Sequence, residues 1–268
     1  MAFDLRASTR VRPARIHTPA QPQPQLPPKP GPDIETASNA YRKRFAGAVG
    51  AFFLEMQTHA LLSCLLGAAP LSILDVGGGH GQYSKDLIEM GWNLTVLGSS
   101  PEADLQIRPL TREHPRQCRF VCGDLEHFPF PDRSFDFVIS FRLLSHADHW
   151  QTILSEMTRA ARTGIVVDYP NRRSFNIAYP LLFKLKRALE NDSTRTFTVF
   201  KDSEVEQALH KCGFHVDKRV PQFLLPMVCH RHFGNERLSR ALEYHFRKAH
   251  LTQVWGSPIV LKAVRDEA

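Results

Sequence analysis

Asp75, Gly77, Gly79 and Gly81 stand at alternate positions and mark the place where this sequence can do chemistry. Asp75 closes the mostly apolar run Leu71 to Leu74, and glycine fills positions 77–79 and 81. Glycine reaches positive φ and has no Cβ, so a ligand can rest on the backbone of such a turn more closely than on any other residue type. An apolar strand ending in a glycine turn is how open parallel sheets present ligands at their carboxyl edge. The dinucleotide fingerprint G-x-G-x-x-G also puts glycines at a strand-to-helix junction. Its third glycine, however, falls on Gln82 when counted from Gly77 and on Ser84 when counted from Gly79. What stands here is D-x-G-x-G-x-G.

A pyrophosphate needs a helix N-terminus kept open for an anion. S-adenosylmethionine instead offers a cationic sulfonium, an amino-acid head and a ribose, and an acidic strand end beside glycines suits it better. The order of the following segments resembles the class I S-adenosylmethionine-dependent methyltransferases over about two thirds of the chain. After the glycines come a helix, Gln82 to Met90, and a second strand, Leu94 to Leu97, that ends near Ser99 and Ser100. A third strand, Arg119 to Cys122, runs into Gly123-Asp124-Leu125, and Phe128 to Ser140 leads into and through a fourth.

The resemblance implies cofactor contacts at Asp75, Gly77, Gly79, Gly81 and Ser140. It implies that Asp124 binds the adenine amino group and the Leu125 amide the ring. The family's acidic ribose ligand at the end of the second strand falls on Gly98, which leaves Ser99 as its substitute. In the same family an N-terminal helix covers the cofactor mouth, which makes Tyr41 and Arg44 candidates for the methionine end. Plain packing of the Tyr41 ring over a solvated Arg44 is the other reading.

Transfer chemistry belongs at the carboxyl ends of the fourth and fifth strands. Alignment of the acceptor with the sulfonium carbon supplies much of the rate there. His146 stands just before a helix that follows the fourth strand, and its near-neutral pKa suits it to take a phenol or hydroxyl proton. Hydrogen bonding to the loop backbone is the alternative for His146 and for His149. Phe141 and Arg142 border the cofactor or acceptor pocket. Asp148 with Gln151 reads as a helix N-cap and its returning partner, and Ser203 with Glu206 as a capping box. The fifth strand, Gly164 to Asp168, puts Asp168 and Tyr169 at the rim, where Asp168 either binds an amine, orients His146 or satisfies backbone amides.

These residues need a scaffold. Length and an ordinary apolar share permit one domain or two, at about 100–200 residues each. Positions 1–34, with eight prolines between Pro13 and Pro32, read as a disordered arm that includes a Pro24 to Pro27 partner-type motif. Tyr41, Phe45, Val49, Phe52, Phe53 and Met56 recur at spacings of three and four and predict a helical region from Asp33–Ser38 to Leu66, divided at Gly47 and Gly50. Residues 35–268 form the remaining domain, with cap insertions at 171–199 and 222–255. Phe175, Tyr179, Leu182 and Phe183 are candidates to line a lid in the first; Phe223, Met227 and His230 are candidates to wall the acceptor pocket in the second.

Five scattered cysteines read as buried, reduced thiols in the cytoplasm. No metal is expected, because Cys229-His230-Arg231-His232 matches no ligand spacing. No continuous apolar run reaches the roughly 18 residues of a membrane span, so no membrane partner is expected. The net charge of +7 is spread along the chain, which makes nucleic acid an unfavoured partner.

The expected architecture is α/β: a Rossmann-like, doubly wound, mostly parallel seven-stranded sheet with an antiparallel last strand, a helical N-terminal cap and insertions. The expected activity is S-adenosylmethionine-dependent methyl transfer to a small-molecule acceptor, with an oxygen acceptor first. The rivals are a catalytically silent S-adenosylmethionine-binding scaffold, suggested by Gly98, and an RNA or protein methyltransferase.

Overall fold

The computed structural model describes residues 31–38, 41, 43–65, 71–174 and 197–267. Seven strands form one sheet in the order β3-β2-β1-β4-β5-β7-β6. They are β1 (Ser72–Val76), β2 (Asn93–Gly98), β3 (Cys118–Cys122), β4 (Phe135–Ser140), β5 (Ala161–Tyr169), β6 (Phe214–Phe223) and β7 (Ser257–Arg265). The first five run parallel, while β7 is antiparallel to both β5 and β6. The expected doubly wound sheet is what the chain forms.

Successive strand residues point to opposite faces, and both faces are covered. Leu74, Val76, Val138, Ile165 and Leu261 pack on one side with Leu154, Met157, Val205 and Leu209 from α5 (Trp150–Ala160) and α6 (Asp202–Lys211). Ile73, Val96, Ile139, Val166 and Val260 pack on the other with Leu61 and Leu65 of α2 (Gly47–Leu65) and Leu87 and Ile88 of α3 (Ser84–Glu89). Ile153, Leu154, Met157 and Ala160 show why α5 is helical, since residues three and four apart share its buried stripe.

The N-terminal helical region divides more sharply than its periodicity suggests. A short α1 (Asp33–Ala37) is followed by turns at Arg44 and Phe45, and α2 starts at Gly47, whose φ of +78° no β-carbon favours. Gly50 lies inside α2 rather than at a break, and the close approach of the Phe45 carbonyl, 2.2 Å from where a Cβ would stand, accounts for the glycine. Among the described residues α2 is also the one helix long and apolar enough to cross a membrane, with a mean hydropathy of 1.3. Glu55, Gln57 and His59 interrupt the continuous run the sequence test sought. Phe52 and Phe53 are buried against Phe223.

The two expected helix caps move. His149, not Asp148, is the N-cap of α5, and Asp148 is exposed. At α6, the helix starts at Asp202 with Lys201 as its N-cap, so Glu204 rather than Glu206 stands at the third position and accepts the Lys201 N–H at 3.0 Å, while Glu206 pairs with Arg219 of β6. The insertion expected at 222–255 carries the end of β6 and three helices, α7 (Met227–Phe233), α8 (Glu236–Lys248) and α9 (Leu251–Trp255). Of the thiols, Cys64 and Cys118 are buried and Cys122 is exposed, so uniform burial does not hold. The Pro24 to Pro27 motif and the lid candidates Phe175 to Arg187 lie outside the described residues.

Candidate functional site

The strand order reverses between β1 and β4, and the crevice beyond their carboxyl ends is where an open α/β sheet binds ligands. Asp75 sits there with no exposure and no hydrogen-bond partner on either carboxylate oxygen. Burial pushes its carboxyl up to about 7, with the nearby Arg142 charge opposing the shift. The glycine turn lies directly over it. A Cβ on Gly78 would stand 2.0 Å from Asp75 Oδ2, and one on Gly79 2.3 Å from the Ala103 carbonyl oxygen. Gly77 and Gly81 take φ of +72° and +66°. Sequence reasoning named the alternate glycines for their approach to a ligand. Gly78, which it did not name, is the one that Asp75 itself demands.

Ser140 ends β4, and its hydroxyl donates to the Val76 carbonyl at 2.9 Å, tying the two strand ends together. Two residues on, Arg142 adopts φ of +60°, a conformation that costs a non-glycine residue roughly 1–2 kcal/mol. Its N–H donates to Asp168 Oδ1 at 2.5 Å, which holds the turn. Asp168 is itself buried, and desolvation pushes its carboxyl up to about 6. Asp168, expected at the rim, is buried, and its partners are the Arg142 amide and, at 3.5 Å, Gln57 Nε2, rather than His146.

The Arg142 guanidinium lies 4.8 Å from the Phe45 ring centre and 5.6 Å from that of Tyr41. Arg44 lies over the same Tyr41 ring at 4.9 Å. Tyr41, Phe45, Leu54, His80, Gln82 and Arg142 line a cleft of about 770 Å³ between the N-terminal cap and the glycine turn. His80 is held neutral, well below its ordinary pKa, by burial and by the Arg142 charge.

The other half of the crevice is arranged differently. A carboxylate does stand beside the end of β2, but it comes from Asp33, far away in sequence. Its two oxygens accept the Ser99 N–H at 2.8 Å and the Ser99 hydroxyl at 2.5 Å, while the Gly31 N–H donates to the same hydroxyl at 2.8 Å. Asp33 is fully buried, and its β-carbon lies 3.4 Å from where a Cβ on Gly77 would be. Residues 31–34, which the sequence reading assigned to the arm, are therefore seated on the crevice. Gly98 is glycine because a side chain there would meet the Phe120 ring at 2.8 Å and the Ala103 methyl at 2.9 Å. The Asp33 contact was not legible: nothing local to Gly31-Pro32-Asp33 names Ser99 as its partner.

Asp124 follows β3 and folds back on itself, with Oδ1 accepting the Glu126 N–H at 2.7 Å and Oδ2 lying 3.3 Å from His127 Nδ1. The Leu125 side chain packs into the core, which leaves its backbone as the part available to a ligand. His146 closes a short 3₁₀ turn, Leu144–His146, with its ring centre 5.6 Å from that of Phe197. It is outside the lining of the 770 Å³ cleft. Phe223 and His230 do not wall that cleft either. His230 is buried against Phe53 and its Nε2 donates to Glu243 Oε1 at 3.0 Å, and Met227 packs on the same cluster. No group of three metal-ligating side chains occurs among the described residues.

Residues 74–167 match the methyltransferase domain family. That segment is a methyltransferase domain, and the seven-stranded sheet around it has the class I methyltransferase fold. The match runs from within β1 into β5 and contains the glycine turn, Ser99, Ser140 and Arg142, whereas Asp33, the cap and Asp168 lie outside it. Over 135 residues, 48% of this chain, the domain is 29% identical to malonyl-[acyl-carrier protein] O-methyltransferase of Pectobacterium atrosepticum and spans 52% of that protein. It is 28% identical over 178 residues to demethylmenaquinone methyltransferase of Deinococcus radiodurans, covering 59% of this chain and 73% of the relative. The chain thus spans only about half the length of the first relative. Among solved structures, magnesium protoporphyrin IX methyltransferase of Synechocystis with bound SAH superposes with a TM-score of 0.59, covering 87% of this chain and 98% of that one. At 15% identity that likeness is one of fold.

Proposed function

We propose that this chain transfers the methyl group of S-adenosylmethionine to a small-molecule acceptor. The observation that carries the proposal is the Asp75 carboxylate, buried and unpartnered beneath a turn in which two glycines cannot be replaced without a clash. Such a group is costly to leave unmade, and an ammonium beside it both satisfies it and restores its charge. The residues present therefore fit the cofactor's amino-acid head. When bound, that cofactor supplies an electrophilic methyl carbon on a sulfonium.

Every other task falls to the chain. Asp75 takes the ammonium, and the backbone at Gly77, Gly79 and Gly81 permits close approach. Ser99, Asp124 and the Leu125 amide stand along the edge of β2 and β3 where a nucleoside would lie, with Ser140 at the floor. Tyr41 roofs the cleft at its methionine end. His146, at the end of β4, is proposed to accept the proton of a hydroxyl acceptor, which makes oxygen the first choice of acceptor atom. The name of the demethylmenaquinone relative supports a small acceptor and that of the malonyl-[acyl-carrier protein] relative an oxygen one, without extending to this chain's own substrate. All five cysteines are free, which suits a reducing, cytoplasmic setting.

Calorimetry with S-adenosylhomocysteine, followed by labelled-methyl transfer to a panel of phenols, carboxylic acids, amines and RNA, tests the proposal. Binding together with transfer to one of the small acceptors is the expected result. Tight binding with no acceptor would favour the scaffold reading, and salt-sensitive labelling of RNA the polymer reading.

A further inference from the structure

We infer that Arg142 is a carboxylate-binding residue of the cleft beneath the N-terminal cap. The inference rests on the methyl-transfer reading for the identity of the molecules involved, and on geometry for everything else. Arg142 is about nine-tenths buried, and its Nε has no hydrogen-bond partner. It forms no ion pair with a carboxylate of the described residues. Its backbone is held in a left-handed turn by Asp168, so that carboxylate is spent on the amide and not on the guanidinium.

The cleft wall has the matching character. Among the described residues, Lys43 and Arg142 are the cations that line it, Gln82 and the neutral His80 are polar, and no Asp or Glu is present in the lining. The groups that face Arg142 from neighbouring elements are Asp75 of β1 and Asp168 of β5, both buried, and Tyr41 and Phe45 of the cap. The aromatic faces satisfy the cation electrostatically yet leave its planar fork without an acceptor. An arginine fork pairs best with a carboxylate, through two parallel N–H bonds.

Two molecules can bring that group: an acceptor that carries a carboxylate, or the amino-acid head of the cofactor. An acceptor carboxylate held this way needs no general base, because it is already ionised at neutral pH.

The test uses the full chain with S-adenosylhomocysteine present and reads binding of benzoate, phenylacetate and hexanoate against benzamide, phenylacetamide and hexanamide by ligand-observed NMR. Wild type is expected to bind at least one acid about tenfold or more tightly than its amide, the scale of one charge-assisted pair. Arg142→Gln should abolish that preference and Arg142→Lys should keep part of it. Loss of the preference with unchanged S-adenosylhomocysteine affinity assigns the group to the acceptor. A weakening of S-adenosylhomocysteine by about tenfold in Arg142→Gln, absent for the decarboxylated analogue, assigns it to the cofactor. No preference in wild type, together with cofactor binding indifferent to Arg142→Gln, overturns the inference; if that variant fails to fold, equal wild-type affinity for S-adenosylhomocysteine and its decarboxylated analogue takes its place as the second condition. Failure of wild type to bind S-adenosylhomocysteine would instead sink the methyl-transfer reading, while the acid-to-amide ratio would still report on Arg142.

Discussion

The two walls of the crevice are built on opposite plans. On the β1 and β4 side every group of interest hangs from the ends of central strands: Asp75, the glycine turn, Ser140 and Arg142 are locked to one another and to Asp168 of β5. On the β2 side the wall is completed by α1, a five-residue helix held there by the bonds between Asp33, Gly31 and Ser99. A strand end cannot move without breaking the sheet, whereas a short segment pinned by a few polar contacts can open locally at small cost. Under the proposed function the cofactor's amino-acid head meets the strand-borne wall, and the wall completed by α1 is the detachable one.

The sharpest way to break this contrast is to disturb the rigid wall. Gly78→Ala drives a Cβ onto the Asp75 carboxylate and should lower S-adenosylhomocysteine affinity by about a hundredfold or more, with about 1–3 kcal/mol of stability lost to overpacking. Calorimetry and denaturant melts read both; an unchanged affinity would mean the turn does not approach the cofactor. His146→Ala should lower kcat by about a hundredfold for a hydroxyl acceptor and flatten its pH profile, the range of general base catalysis. A rate intact at every pH removes His146 from the mechanism and leaves the fold assignment standing.

A third effect follows from the raised Asp75 carboxyl. Burial lifts it from 3.8 to about 7 in the folded chain. The folded state therefore keeps a proton that the unfolded chain has released, and the carboxylate's contribution to stability falls as pH climbs from about 4 to about 7. Binding an ammonium needs the ionised form, so S-adenosylhomocysteine affinity should rise by about tenfold between pH 6 and pH 8, and Asp75→Asn should erase the slope. The smallest effect belongs to the detachable wall. Asp33→Ala leaves the Ser99 amide without its acceptor, for about 1–3 kcal/mol of local destabilisation. Hydrogen exchange should speed up at Ser99 and Gly31 while strands β1 and β4 stay protected, and a uniform change across the sheet would show that the two walls are not independent.

What could be read in advance follows the same division. The strands, the glycine turn and their order were legible because each depends on residues within a few positions: alternation buries a strand, and glycine admits a positive φ. The position of Arg142 was noticed only as a border residue, since its importance comes from Asp168 and from two rings of the cap. His230 and Phe223 looked like pocket walls on account of their chemistry, yet Phe53 and Glu243 draw them inward. The capping residue of α6 slipped from Glu206 to Glu204 because the helix starts with Lys201 as its N-cap, two residues before Ser203.

By itself the sequence determined that a parallel sheet would end in a glycine bend over a carboxylate, since backbone freedom and side-chain alternation are local properties of the chain. Only the tertiary structure decided that Asp33 would complete the wall beside Ser99, that Phe120 would forbid a side chain at Gly98, and that Arg142 would face a cleft in which no described residue is an acid. Those outcomes depend on which distant groups compete for the same space and the same hydrogen bonds, and that competition exists only once the chain is folded.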